Sequence, residues 1–428
     1  MKPFFTPAKI TSESLQQFRQ VTDPLADNVI AKIIQSGQEK QINQVLMTLM
    51  RNSSFQKGMF ASFGHELSTL LDGYIETSAQ LPAWADSKLI TKGEHLFELY
   101  GPDIFMLLNV SSLPMCYCCG NGAQVLFDTG RLLVYNSNVD PLARRLMETA
   151  QMIFNVMCPG GLAQNGSGII TIQKVRLIHA SIRYFLKHGQ AGAWDSIHFG
   201  EPINQEDLAG TLMSFGPVIL AGLKKLGAKL TDDDTNAWMH CWNITGYMLG
   251  IDESLLPDTY NQGFELASKI LSHQASSSDA GKALTKSCIQ FMQSIIPGNA
   301  FDEVPEYLMS YFLQDFTQSS GKDLNVCISL KPNSDLKDQL VLRLSNFIAK
   351  ELSNLKTHDF VRSITESFNK LLLQGIIYHF NGGKGVQFFI PPSLQANWGL
   401  IDVWKDFVST PSLLGNRVTW QKKSEQLQ

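Results

Sequence analysis

Between residues 174 and 186 the sequence reads KVRLIHASIRYFL, a helix-forming run that carries one histidine, His179, and two arginines, Arg176 and Arg183. At about 100° per residue, Val175, Ile178, Ile182, Phe185 and Leu186 share one helical face. His179 falls at the edge of that face, and the two arginines stand beside it. An imidazole in that position can be a metal ligand, a general base or a satisfied core residue, and this stretch alone leaves all three open.

Other groups of reactive residues have spacings that suit packing better than chemistry. Cys116 and Cys118 would diverge by about 200° on a helix, and no second cysteine pair stands elsewhere to complete a zinc site. They are expected to be small core residues. The glycines at 160, 161, 166 and 168 lack the Gly-Lys-Ser/Thr of a phosphate loop and do not follow a strand, so they are read as a connector. Trp238, His240 and Trp242 alternate along a helical pattern, which scatters them around the axis rather than gathering them.

More informative is the pair of helices that this glycine loop joins, 141–157 and 170–187. If they pack antiparallel, Thr149 and His179 lie about nine and ten residues from the turn, hence at a similar depth of roughly 13–15 Å. Arg145 is one helical turn from Thr149, so the hairpin brings Arg145, Glu148 and Thr149 to the level of His179. A flat cofactor would fit between them, and haem suits the residue types: its iron takes a histidine and its propionates need cations. Arg176 and Arg183 are the arginines placed to serve as those cations. Arg145, Glu148 and Thr149 would be the polar groups on the other face of the cofactor. Glu148 is either a base, given a dry pocket, or the ion-pair partner of Arg144 or Arg145.

The elements that must position these residues are helical. Apolar residues recur at three- and four-residue spacing through 25–49, 59–78, 90–109, 203–227, 232–251, 260–273 and 281–296. Asp140-Pro141 is a start signal for the first helix of the hairpin. From about 318 the texture changes: VCISL (326–330) alternates like a strand, helices are expected at 335–355 and 357–375, and GIIYHFNGGKGVQFFIPPS has the form of a hairpin around Asn381-Gly382-Gly383. The expected organisation is N-terminal helices over 1–79, a helical domain over 80–317 that would hold the haem, and an α+β extension over 318–428. With 428 residues, 44% hydrophobic and 17% charged, the chain has ample core, and a net charge of −4 speaks against nucleic acid as a partner. No apolar run is long enough to span a membrane, and the amino terminus has no secretory pattern. Seven cysteines with apolar neighbours suggest reduced thiols and a cytoplasmic location. Oligomeric state is not fixed by the sequence.

The run from Asp140-Pro141 through Arg145-Leu146 to Thr149, followed by Lys174-Val175-Arg176-Leu177, His179-Ala180 and Arg183, resembles the latex clearing protein and MpaB-type oxygenase family. LPAWADSKLITKGEHLF and SSLPMCYCCGNG upstream resemble it too, as do INQEDLAGTLMSFGPVILAGLKKLG and AWMHCWNITGYMLGID downstream, so the likeness covers roughly residues 80 to 310. The resemblance implies a mainly α fold with a globin-like core holding haem b. It implies His179 as the iron ligand, with Arg145 and Thr149 on the opposite, oxygen-binding side. Family members cleave carbon–carbon double bonds of polyisoprenoids with dioxygen, and others act on prenylated small molecules.

This chain departs from the rubber-cleaving pattern. It has Glu148 where those enzymes carry lysine, and the stretch around Thr129 offers no counterpart for their earlier catalytic glutamate. It also shows none of their export signal. The function expected is a haem-dependent oxygenase acting on a small apolar, unsaturated substrate with O2. The alternatives are a haem protein without oxygenase activity, peroxidase-like or gas-sensing, and a helical interaction module that has lost the cofactor.

Overall fold

The computed structural model of the chain describes residues 5–35, 42–52, 54–132, 141–188, 194–296, 301–331 and 357–380. The described residues are mainly α-helical and form no sheet; the one β-bridge joins Cys119 to Ala275. They pack as two compact units that interleave along the chain. The first comprises 1–97, 152–217 and 230–273, and the second 98–151, 218–229 and 274–428.

In the first unit, α1 (Ser12–Phe18) comes first, and four helices then surround one apolar core: α2 (Pro24–Gln35), α3 (Ile42–Arg51), α4 (His65–Ser78) and α9 (Ser167–His188). Val29, Ile30 and Ile33 of α2, Val45 and Leu49 of α3, and Leu67 and Leu71 of α4 meet Leu177 and Ala180 of α9 there. Burying side chains of this size stabilises by about 1.5–3 kcal/mol each, so α9 is held mainly by its packing. Lys187 and His188 close its last turn, where positive charge offsets the helix dipole. Around a second apolar centre, Phe215 of α11 (Gln205–Phe215) stacks on Trp242 of α13 (Asp232–Met248) at 5.2 Å, and its carbonyl accepts the Trp238 indole N–H.

The second unit contains the far end of α5 (Ser87–Leu107), which continues through a π-helical stretch, Leu108–Ser112, into α6 (Leu113–Cys118). Proline at the start of α6 has no amide hydrogen to give, which suits a helix that changes its winding there. Gly120–Leu132 (α7), Val218–Lys225 of α12 (Pro217–Lys225), Asp279–Ile295 (α15), Val304–Ser320 (α16), Leu324–Cys327 (α17) and Thr357–Phe380 (α18) complete it. Its core includes Met106, Leu107, Cys288, Met292, Tyr307, Phe316 and Phe368.

Two sequence expectations for the carboxy-terminal region need correction. VCISL is no strand: Val326 and Cys327 close the short α17, which the Asp323 carboxylate starts by accepting the Val326 N–H at 3.2 Å. A five-residue alternation is too short to outweigh such a cap. GIIYHF is no strand either but the last turns of α18. Gly375, inside that helix, marks a close approach: a Cβ there would lie 2.2 Å from the Ile295 carbonyl oxygen. The helix expected over 335–355 and the hairpin beyond Phe380 lie mostly or wholly outside the described residues.

Candidate functional site

Pro141–Met157 (α8) and α9 are the two helices that the sequence read as a hairpin. The glycine loop between them is a packed connector. A Cβ on Gly161 would lie 2.3 Å from the Asn155 carbonyl, and one on Gly168 2.7 Å from the Gly161 carbonyl. The Glu94 carboxylate accepts the Gly160 N–H at 2.9 Å. Asn155 of α8 donates to the Thr171 hydroxyl of α9 at 2.9 Å, and its carbonyl accepts from Ser167.

On α9 the side chains divide by exposure as the helical wheel divides them by angle. Ile172, Gln173, Arg176, Leu177, Ala180, Ser181 and Arg183 are buried, whereas Thr171, Val175, Ile178, His179 and Ile182 are half-buried. These five span about 100° of the helix circumference. The result is an open, largely aliphatic stripe with His179 on the edge next to the arginines. Among the described residues no set of three His, Cys, Asp or Glu is gathered to hold a metal ion.

The buried side of α9 is tied by polar contacts. Arg176 makes a two-pronged ion pair with Asp23 just before α2: Nε to Oδ2 at 2.6 Å and Nη2 to Oδ1 at 2.7 Å. Its Nη1 donates to the Met248 carbonyl at 3.0 Å, closing the end of α13. Burial disfavours the Arg176 charge, but Asp23 outweighs it and the guanidinium titrates above its usual range. Arg183 donates from Nε to Asp27 of α2 at 2.7 Å and from Nη1 to the Ile203 carbonyl at 3.3 Å. Its Nη2 is buried with no hydrogen-bond partner among the described residues. Tyr74 of α4 donates to the Gln173 carbonyl at 2.7 Å, and Gln173 returns two bonds, to Ile75 and Ser78. Burial pushes the Tyr74 hydroxyl well up and pulls the Lys174 ammonium down.

The expectation that both arginines stand ready for cofactor carboxylates is therefore corrected. Asp23 and Asp27 engage them, and among the described residues Nη2 of Arg183 is left without a hydrogen-bond partner. The sequence reading missed both acids. Their signal was an Asp-Pro helix start with a second Asp four residues on, the spacing that places two carboxylates on one helix face.

Residues 145, 148 and 149 lie on the part of α8 that belongs to the second unit, whereas His179 lies in the first. Thr149 is half-buried and Glu148 exposed, so Glu148 lacks the dry surroundings expected of a base. The side chain of Arg145 lies outside the described residues, although its backbone is helical. Thr129, on α7, donates back to the Val125 carbonyl of its own helix. Of the other residues weighed from sequence, His240 accepts the Asp86 N–H at 2.9 Å and meets Trp84 edge-on. Cys118 is buried, and Cys116 and Cys119 partly so.

Comparison with known proteins agrees with the helical pattern. Residues 119–317 match the family model described as ER-bound oxygenase mpaB/B'/Rubber oxygenase, catalytic domain, a span that includes α8 and α9. The chain is 25% identical over 268 residues to the Rubber oxygenase of Streptomyces sp. (strain K30). That alignment covers 62% of this chain and spans 62% of the length of the curated relative. The solved structure of latex clearing protein in its closed state shares the fold, with a TM-score of 0.63 at 20% identity, over 83% of this chain and 91% of that one. By the matched segment, the curated relative and the shared helical fold, this chain is similar to the latex clearing protein and MpaB-type oxygenase family.

Proposed function

We propose that this protein is a haem-b-dependent oxygenase that uses O2 to oxidise or cleave a carbon–carbon double bond of an apolar, isoprenoid-like substrate. The observation that carries this reading is the position of His179 on the half-buried aliphatic stripe of α9, within the segment matched to the oxygenase catalytic domain.

The residues present fit the cofactor. His179 would supply the iron ligand, and Val175, Ile178 and Ile182 would lie against the porphyrin and keep water from it. Arg183 Nη2, buried and unpaired, is the donor left for a propionate, a group that would relieve the cost of desolvating it. When bound, haem supplies the redox chemistry by which dioxygen is inserted into a double bond. Arg145 and Thr149 belong to the oxygen side in this reading, the first as a positive charge and the second as a hydroxyl donor. We assign no proton transfer to the exposed Glu148. A reducing, cytoplasmic setting suits the seven free thiols.

The test is spectroscopic and then chemical. Full-length protein given haemin should develop a Soret band, and His179→Ala should lose it while keeping its helical circular dichroism. Oxygen uptake with a short polyisoprenoid should yield aldehyde and ketone ends. A Soret band with stable oxygen binding but no carbonyl product would replace the oxygenase by a gas-binding haem protein. A colourless wild-type protein would overturn the reading.

A further inference from the structure

Arg176 and Arg183 flank His179 by three and four residues, and each is bound to an acid that lies outside the family-matched segment. The two acids come from one short element: Asp23 immediately precedes α2, and Asp27 lies in its first turn. They are spaced by about 6 Å along α2, and the two arginines by about 10.5 Å along α9. Two ion pairs at two levels fix both the rotation of α9 about its axis and its slide along α2; a single pair would fix neither. Rotation is the coordinate that matters, because His179 stands on the border between the buried arginine side and the open stripe. A turn of about 40° would carry it off that border, less than half the 100° step between neighbouring residues.

The surroundings leave the first pair little freedom. Asp23 is 2% exposed and Arg176 9%. Gly250, at φ +86°, closes over them: a Cβ there would meet Arg176 Nη2 and the Asp23 carboxyl carbon, each at 2.8 Å. The second pair is looser, since the Asp27 side chain is 29% exposed.

We infer that Asp23 and Asp27 are positioning residues for the His179 imidazole, acting through Arg176 and Arg183. The inference rests on the haem reading above. It makes the start of α2 part of the support of the iron site, although α2 precedes the matched catalytic segment.

The experiment uses the full chain loaded with haemin, comparing wild type, Asp23→Asn, Asp27→Asn, Asp27→Glu and, as a control, Thr11→Ala. Thr11→Ala removes the capping box of α1 and lowers stability in the same unit without touching α9. Two readouts are taken besides melting temperature: the iron–histidine stretching frequency of the ferrous protein, and the rate of haem transfer to apomyoglobin. In Asp23→Asn and Asp27→Asn the frequency should shift and haem loss should quicken by about 10- to 100-fold, the range seen when groups behind a metal ligand are removed. Asp27→Glu should restore both readouts, and Thr11→Ala should leave both unmoved despite its lower melting temperature. If Asp23→Asn fails to fold, the partly exposed Asp27 carries the test. An Asp27→Asn protein that melts earlier but keeps the wild-type frequency and haem-loss rate overturns the positioning role alone. A wild type with no Soret band overturns the haem reading, and this role with it.

Discussion

A buried arginine whose partner is removed keeps its charge but loses what compensated for it. Arg176 is in that position, because Asp23 takes two of its donors and the Met248 carbonyl a third. Gly250 is the single-residue probe of this arrangement. Its positive φ alone disfavours any side chain, and the 2.8 Å approach of Arg176 and Asp23 adds a clash. Gly250→Ala should cost at least about 1–3 kcal/mol, read as a lower urea midpoint. The thiols give a second residue-scale expectation. Burial pushes the thiols of Cys118, Cys241 and Cys288 up, the last to about 12. Alkylation of the folded protein near pH 8, followed by mass spectrometry, should modify the partly exposed Cys116, Cys119 and Cys158 and spare those three. Rapid labelling of Cys241 in the native state would contradict its burial.

Helix α9 is where the sequence pattern and the packing can be compared most closely. The periodicity of KVRLIHASIRYFL put His179 on a border, and the structure keeps it on one. Yet the apolar stripe beside it is the half-buried side, while the core lies on the side of Leu177, Ala180 and the arginines. An amphipathic pattern shows where the apolar face is, not which face meets the core, and a helix serving a ligand as well as a core has two. Helix bounds were more legible, since Asp140-Pro141 and the glycines mark them by local stereochemistry. That loop has its own test. Gly161→Ala would place a methyl 2.3 Å from the Asn155 carbonyl, which belongs to the last turn of α8 and cannot yield without unwinding it. The variant should lose stability by more than the roughly 1 kcal/mol of an ordinary glycine substitution, and circular dichroism should show lost helix on mild heating.

At the scale of the whole chain, pH acts through both units. The buried thiols of Cys241, in the first unit, and of Cys118 and Cys288, in the second, titrate above the ordinary thiol value of 9.0. The Tyr74 hydroxyl is likewise pushed up by burial. Each group therefore holds its proton longer in the folded state than in the unfolded one. Their contribution to stability is complete below the unfolded value and is lost as pH rises through the folded one. The urea midpoint should thus be level from about pH 7 to 8.5 and fall steadily above about pH 9. Cys288→Ala and Cys241→Ala should each flatten that fall.

What the sequence by itself determined is local: the helical character of the chain, the ends of α8, the far end of α9 and the border position of His179. Each is written in neighbouring residues, through a period of 3.6, a proline that sets φ or a glycine that admits a turn. Only the tertiary structure decided what Arg176 and Arg183 hold. Their partners lie 153 and 156 residues earlier in the chain, and an ion pair over that separation leaves no periodic trace in either segment. A guanidinium binds any carboxylate of the right geometry, so the sequence supplied the cation, and only the fold decided that an aspartate is what it holds.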